Sequence, residues 1–447
     1  MRIVIVGLGE VGAYLAKILS AQEEYEVIGI DNDSKRLEVL EDLYDIQTVE
    51  GYGAAPQVLR QAEVDTADVF LAVSGNDELN IVAALIVRSL GQAFTIARVS
   101  NPLYLEEQQL EDYEALGVNL LVSPERRTAV MLYQTLEYPQ FLKVETLANG
   151  KVHINQFRIS EKSPFAYKKI KDIPLTKDLL IVGITRKRDF LFPTGSTEIL
   201  PNDTLFIVGK RETMRDTRSI LPLEQKKIRR VILLGASEVT YFLAKMIERK
   251  YRVLVIEPSS ERSDWIAQML KHTAIYNDDI FTSNLLNELL LDKDDYFIAA
   301  TENDEFNLLS SILIKEKGVS MIACIIHHSY LLSTVEQAGI HQVFSPQMII
   351  ANDIAGTIRS RGLLTLQDFQ NIEAEFVEFD IPINSPVIHK AIHQIVFPPQ
   401  TLLVALLRND EVIIPRGDTI LHAWDKVFVL SLKSNFNKIA ELFQAEQ

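Results

Sequence analysis

Cysteine is nearly missing from this 447-residue chain: Cys324 stands alone, which excludes an internal disulfide and any zinc site built from several thiolates and fits a reducing cytosol. Within Ile322-Ala323-Cys324-Ile325-Ile326 it reads as a small apolar strand residue. Long apolar runs are missing too. None approaches the ~20 residues that cross a bilayer, and Met1-Arg2 leads straight into a short β-like run with no signal-peptide pattern. A soluble protein that stays inside the cell is expected. Positive charge is in deficit, with 45 Lys and Arg against 61 Asp and Glu and a formal net charge of −16. Binding a polyanion needs concentrated Lys and Arg, so no nucleic-acid partner is expected. What is present is an ordinary globular balance, 47% hydrophobic and 24% charged. At roughly 100–200 residues per domain the length predicts about three or four domains.

The chain repeats itself. Shifted by about 222 to 228 residues, the second half lines up with the first from end to end. Ile3-Val4-Ile5-Val6-Gly7-Leu8-Gly9 corresponds to Val231-Ile232-Leu233-Leu234-Gly235-Ala236-Ser237, and Ala72-Val73-Ser74-Gly75-Asn76-Asp77-Glu78-Leu79-Asn80 to Ala299-Ala300-Thr301-Glu302-Asn303-Asp304-Glu305-Phe306-Asn307. Ser123-Pro124 pairs with Ser345-Pro346, Ser163-Pro164 with Ser385-Pro386, and the run from Phe192 to Thr197 with that from Ile414 to Thr419.

Each half has two parts. First come short β-branched runs (3–6, 27–30, 69–73, 95–99) alternating with stretches of helical period such as 79–90. That alternation predicts an α/β, doubly wound, Rossmann-like domain with a parallel sheet. The second part, 143 to about 207 and again 376–430, has strand-like runs (180–184, 204–208, 402–406, 426–430) between Pro, Gly and Asp turns, with one short helix. It predicts a small α+β domain. The expected domains are therefore 1–140 and 228–368, Rossmann-like, and 141–223 and 369–447, α+β. The basic stretch Leu221-Pro222-Leu223-Glu224-Gln225-Lys226-Lys227 reads as a solvated linker.

Gly7-Leu8-Gly9-Glu10-Val11-Gly12 follows the first strand at once and opens a helical pattern to about Ser20. The first glycine permits the tight turn, the second lets backbone N–H groups approach a pyrophosphate, and the third allows close packing of helix on strand. Asp31 ends the next strand 19 residues after Gly12. That is close to the ~20 expected of the acid that hydrogen-bonds a ribose diol, and it disfavours NADP. Asp33 either shares the ribose or opens a solvated helix; Arg36 either flanks the adenine or does the same. Gly51-Tyr52-Gly53 offers a close backbone approach to adenine or a plain loop. Ser74-Gly75-Asn76-Asp77 lies at the carboxyl edge of the sheet, where ligands of such sheets bind, and Asn76 or Asp77 can also cap the next helix. Arg98, in an otherwise apolar strand, needs a phosphate or an acidic neighbour.

On these residues, with Asp31-Asn32-Asp33-Ser34-Lys35-Arg36 and the tail from Leu403 to Thr419, the whole chain resembles the Trk-type potassium uptake regulators, whose subunits hold two tandem RCK modules. The resemblance implies a homotetramer whose eight modules close a ring. It further implies binding of NAD(H), ATP or ADP, and gating of a membrane-embedded potassium-translocating subunit from the cytoplasmic side. It also implies that Glu125, after Ser123-Pro124, holds a divalent cation at a subunit interface. The second half departs from the pattern. Its loop, Gly235-Ala236-Ser237-Glu238-Val239-Thr240, loses two glycines, and Glu257 replaces the ribose acid. Ser237 and Thr240 are expected to crowd the pyrophosphate and the strand-to-helix packing, and Asn277-Asp278 stands where Gly51-Tyr52 does. This argues against a second nucleotide, leaving Glu257, Arg262 and Asn303 as groups for an adenosine.

An NAD-dependent dehydrogenase is the enzyme alternative, and a ligand-free scaffold the other. No compact acid/base constellation is evident. His327, His328 and His341 read as core or interface residues, and His389 with His393 has the i, i+4 spacing of a helical metal pair but no third ligand nearby.

Overall fold

The computed structural model describes residues 1–22, 24–105, 113–137, 143–148, 150–187, 189–215, 228–281, 285–340, 342–361, 367–368 and 374–443. The expected linker 221–227 and His341 lie outside the described residues.

Five buried-looking runs and a short sixth make the first sheet: β1 (Arg2–Val6), β2 (Glu26–Asp31), β3 (Gln47–Glu50), β4 (Val69–Ala72), β5 (Phe94–Arg98) and β6 (Leu120–Val122). All pair in parallel, in the order β3-β2-β1-β4-β5-β6. Ile3, Val4, Ile5, Phe70 and Leu71 have no exposed surface, which is why they read as continuous apolar runs and not as an alternation. The helices α1 (Glu10–Ser20), α2 (Ser34–Leu43), α3 (Pro56–Gln61) and α4 (Asp77–Leu90) fall between the strands. Asp33 and Asn76 cap α2 and α4, each side chain accepting the backbone N–H three residues on.

β7 (Lys143–Leu147), β8 (Val152–Arg158), β9 (Leu179–Arg186), β10 (Asp189–Leu191) and β11 (Thr204–Lys210) form an antiparallel sheet ordered β10-β9-β11-β8-β7. Both architectures then recur. β12 (Arg230–Leu234), β13 (Val253–Ile256), β14 (Ala274–Tyr276), β15 (Asp295–Ala299), β16 (Met321–Ile325) and β17 (Gln342–Phe344) stack in parallel as β14-β13-β12-β15-β16-β17. β18 (Gln367–Asp368), β19 (Ala374–Asp380), β20 (Thr401–Arg408), β21 (Glu411–Ile413) and β22 (Lys426–Leu432) give β18-β19-β22-β20-β21. The two sheet types make the fold α/β, with a Rossmann-like sheet followed by a small α+β part in each half.

Space divides the chain differently from sequence. One compact unit gathers both parallel-sheet parts, Met1–Tyr133 and Ile228–Ala355, and the other gathers both antiparallel parts. Within the first unit Arg127 pairs with Asp353, Lys250 lies over the Tyr133 ring, and Phe242 packs beside Ile81, Val99 and Leu105. Within the second, one apolar cluster draws Val182, Phe206 and Val208 from one repeat and Phe376, Val404 and Phe428 from the other. Each antiparallel part also carries the same clamp. Arg186 donates through Nε and Nη2 to Asp203, and Arg408 does so to Asp425, with both carboxylates almost fully buried. No helix among the described residues is long and apolar enough to cross a membrane.

Candidate nucleotide site

The carboxyl ends of β1, β2, β4 and β5 surround a cavity of about 440 Å³. It opens where the sheet order reverses between β1 and β4, the position at which such sheets receive ligands. The turn after β1 explains its floor. Gly7 has φ +86°, a left-handed value, and a Cβ on it would stand 2.5 Å from the Ser74 backbone. At Gly12 a Cβ would lie 1.9 Å from the Gly7 carbonyl oxygen, so this glycine lets α1 press onto β1. Gly9 is different: a Cβ there meets nothing within 4 Å. Its missing side chain leaves room that belongs to the cavity, at the first turn of α1, where free N–H groups and the helix dipole favour an anion.

The Asp31 carboxylate ties this loop down. It accepts from the Leu8 N–H at 2.7 Å, from the Asp33 N–H at 3.0 Å and from the Arg36 guanidinium at 3.0 and 3.2 Å. On the far side, the fully buried Asn80 accepts from Ser74 N–H and Oγ and donates to the Arg98 carbonyl. That pins the loop after β4 to the end of β5. Arg98 Nη2 donates to Ser100 and to Glu125 at 3.2 Å, while its buried Nε has no partner.

Of the residues singled out from sequence, Gly7, Gly9, Glu10, Val11, Asp31, Asn32, Arg36, Gly51, Tyr52, Ser74, Gly75, Asn76 and Arg98 all line the one cavity. The others act behind it or elsewhere. Leu8 buries its side chain and offers its N–H to Asp31. Asp33 caps α2 and pairs with Arg36, and Asp77 accepts the N–H groups of Ser100 and Asn101. Glu125 is bound to Arg98, Ser100 and Ser123, so the acidic neighbour that Arg98 requires is this one. Among the described residues no group of three or more His, Cys, Asp or Glu could hold a metal ion. His389, at φ +61°, and His393, in a one-turn helix, do not share a helix, so the spacing places them on no common face. Cys324 is buried, and burial pushes its thiol up to about 12.

The second loop is wired alike and filled differently. Glu257 accepts from Ala236 N–H at 2.7 Å and Ser259 N–H at 2.8 Å, repeating the Asp31 contacts. Arg262, however, lies across the loop. It donates twice to the Ala236 carbonyl, pairs with Glu238 at 3.1 Å and stacks over Trp265. Thr240 does not strain the packing where Gly12 stands in the first half, because its Oγ1 donates to Gly235 O at 2.7 Å. Nor do Asn277-Asp278 match Gly51-Tyr52. Gly51 and Asp278 each donate their N–H to the carbonyl of the loop acid, so the register is one residue off that expectation.

Gly53, of the turn Gly51-Tyr52-Gly53, lines the cavity as well, and sequence reasoning did not single out Val6, Ile30, Val73, Leu79 or Gln347 for it. Gln347 had a signal: it follows Ser345-Pro346 as Glu125 follows Ser123-Pro124.

Two nucleotide-type sheets in tandem, each with an antiparallel companion and one with an open glycine loop, define a double-module protein of the nucleotide-binding α/β class. Family models match the TrkA-N domain at residues 3–124 and 231–346 and the TrkA-C domain at 154–221 and 376–444. The chain belongs to the family of the Trk system potassium uptake protein TrkA. It is 32% identical over 453 residues to TrkA homolog 2 of Methanosarcina mazei, covering 99% of this chain and 100% of the relative. In fold it is similar to the GsuK channel bound to NAD, with a TM-score of 0.62, 18% identity, and 99% and 78% of the two chains covered. For GsuK bound to ADP the TM-score is 0.50 at 14% identity, covering 80% and 69%.

Proposed function

We propose that the chain is a nucleotide-sensing regulatory subunit, not an enzyme, that gates a membrane-embedded potassium-translocating subunit of the Trk type. The observation that carries the reading is the cavity in which an open Gly9, the loop-bound Asp31 and the exposed Tyr52 converge. An adenine nucleotide fits this frame: pyrophosphate at Gly9 and the first turn of α1, ribose at Asp31, adenine beside Tyr52. Arg36, half exposed, is the partner a ribose diol displaces from Asp31, which frees its guanidinium to flank the base. NAD(H), ATP and ADP share this half, and the GsuK structures with NAD and with ADP support both classes. The names of the TrkA relatives support potassium as the ion.

Gating requires that nucleotide bind one shape of the assembly better than another. We take the assembly to be a homotetramer whose eight modules, divided as 1–140, 141–223, 228–368 and 369–447, close a ring. That ring sits on the inner face of the cell membrane through the transporter subunit. Calorimetry on the full chain with NADH, NAD, ATP and ADP tests the site, and absence of binding to all four refutes it. Incubation of NADH with candidate substrates tests the dehydrogenase reading, for which turnover would be required. Light scattering that finds a stable monomer at micromolar concentration refutes the ring.

A further inference from the structure

The first module's cavity has a lining residue that the first module does not supply. Gln347, at the start of the helix Pro346–Arg361, comes from the second half of the chain. Its amide oxygen is buried and has no hydrogen-bond partner, a costly arrangement for a good acceptor. Arg98, which lines the same cavity, carries the opposite orphan: its Nε is a buried donor with no partner. One unmet acceptor and one unmet donor suit a ligand group that both donates and accepts. A terminal phosphate offers acceptors, satisfies Arg98 and leaves Gln347 bare. A ribose hydroxyl or a carboxamide offers both functions.

Position narrows the choice. Arg98 ends β5 and Asp31 ends β2, three strands apart in the order β2-β1-β4-β5, or about 14 Å at the usual strand spacing. With ribose and adenine at Asp31, the Arg98 end of the cavity receives whatever lies beyond the pyrophosphate. In ADP nothing does, in ATP a phosphate does, and in a dinucleotide a second ribose and its base do.

We propose that Gln347 is a specificity-determining residue of the first module's site, supplied by the second module, and that its amide oxygen accepts from a hydroxyl or carboxamide in the distal half of a dinucleotide. This rests on the nucleotide reading above. It gives the second module a part in ligand recognition even though its own loop is closed by Arg262.

The test is calorimetry on the full chain with NADH, ATP and ADP for wild type, Gln347→Ala, Gln347→Glu and Asp31→Ala, with melting temperatures alongside. Gln347→Ala is expected to bind NADH about tenfold more weakly and ADP within about twofold of wild type. Gln347→Glu keeps an acceptor for the hydroxyl, so it retains NADH while ATP weakens through charge repulsion; it also carries the test if the alanine variant does not fold. Equal losses for NADH and ADP, no loss for NADH, or a larger loss for ATP than for NADH in Gln347→Ala would each overturn the proposal. If Asp31→Ala weakens all three ligands while Gln347→Ala weakens none, only the role of Gln347 fails. If Asp31→Ala weakens none, the nucleotide reading fails and this role with it.

Discussion

The two parallel-sheet modules hold their loop acids in the same way and use the space above them in opposite ways. Asp31 and Glu257 both accept the N–H after the first glycine and the N–H two residues beyond themselves. Five residues on from each acid stands an arginine. Arg36 turns back to Asp31 and leaves the loop open; Arg262 crosses to the Ala236 carbonyl and Glu238 and covers it. The acid that ties down this loop therefore serves folding in both modules. A buried carboxylate that receives two backbone N–H groups defines the turn whether or not a ligand follows. The two modules differ in the fate of the first helical turn: bare at Gly9, occupied at Ser237 and Arg262.

The sharpest way to break this comparison is to exchange its glycines one at a time. Gly12→Ala puts a Cβ 1.9 Å from Gly7 O, against backbone that cannot turn aside as a side chain would, and is expected to destabilise the fold by about 3 kcal/mol, the upper end for overpacking. A melting temperature unchanged from wild type would show that α1 shifts freely and that the third glycine is not needed for packing. The second module carries a Cβ at this position and fills the gap to the loop with the Thr240 hydroxyl, which donates to Gly235 O at 2.7 Å.

Next in size is the pair of acids. Asp31→Ala is expected to weaken adenine-nucleotide binding by about 1.5–3 kcal/mol, the range for hydrogen bonds to a charged group, while Glu257→Ala leaves nucleotide affinity within about twofold. Equal effects of the two variants in calorimetry would show that both modules bind ligand. Gly9→Ala follows. Its φ of −66° suits alanine, so stability should hold or rise slightly through the unfolded state, while nucleotide affinity falls about tenfold, equivalent to 1.4 kcal/mol. Parallel loss of stability and affinity would refute the claim that Gly9 is bare for the ligand's sake.

Much of this was legible in the chain itself, for physical reasons that also mark the limits. Strands buried on both faces write themselves as apolar runs, so Ile3–Val6 and its repeat announced the sheets. Edge strands do not: Asp189–Leu191 and Glu411–Ile413 are three residues long with half-exposed side chains, and they read as turns. The glycines and Asp31 marked one end of the cavity because spacing from a strand fixes where they fall. The contact of Gln347 with that cavity joins positions from opposite halves of the chain, which no local pattern encodes. The direction taken by Arg262 depends on Trp265 and Glu238 as much as on its own place in the sequence.

The smallest expected effect lies in the helix that follows β15. Asp304, 3% exposed, accepts the N–H groups and the Nδ1 atoms of His327 and His328, whereas its counterpart Asp77 accepts only backbone N–H groups, from Ser100 and Asn101. Burial works against the Asp304 charge, yet the four contacts hold its carboxyl below the usual aspartate value. The side-chain bond to Asp304 raises His328 above its ordinary 6.5, with Glu10 and Glu305 adding to the attraction. A histidine raised on folding contributes stability that is fully present below about pH 6.5 and is lost as pH climbs through its folded value. Because the His328 side chain is half exposed, the contribution is a few tenths of a kcal/mol, that of a solvent-screened pair. His328→Asn, which installs the residue of the first module, should therefore lower the melting temperature slightly at pH 6 and leave it unchanged at pH 8.5. A variant whose melting temperature falls equally at both pH values would show that the ring matters here for packing and not for its charge.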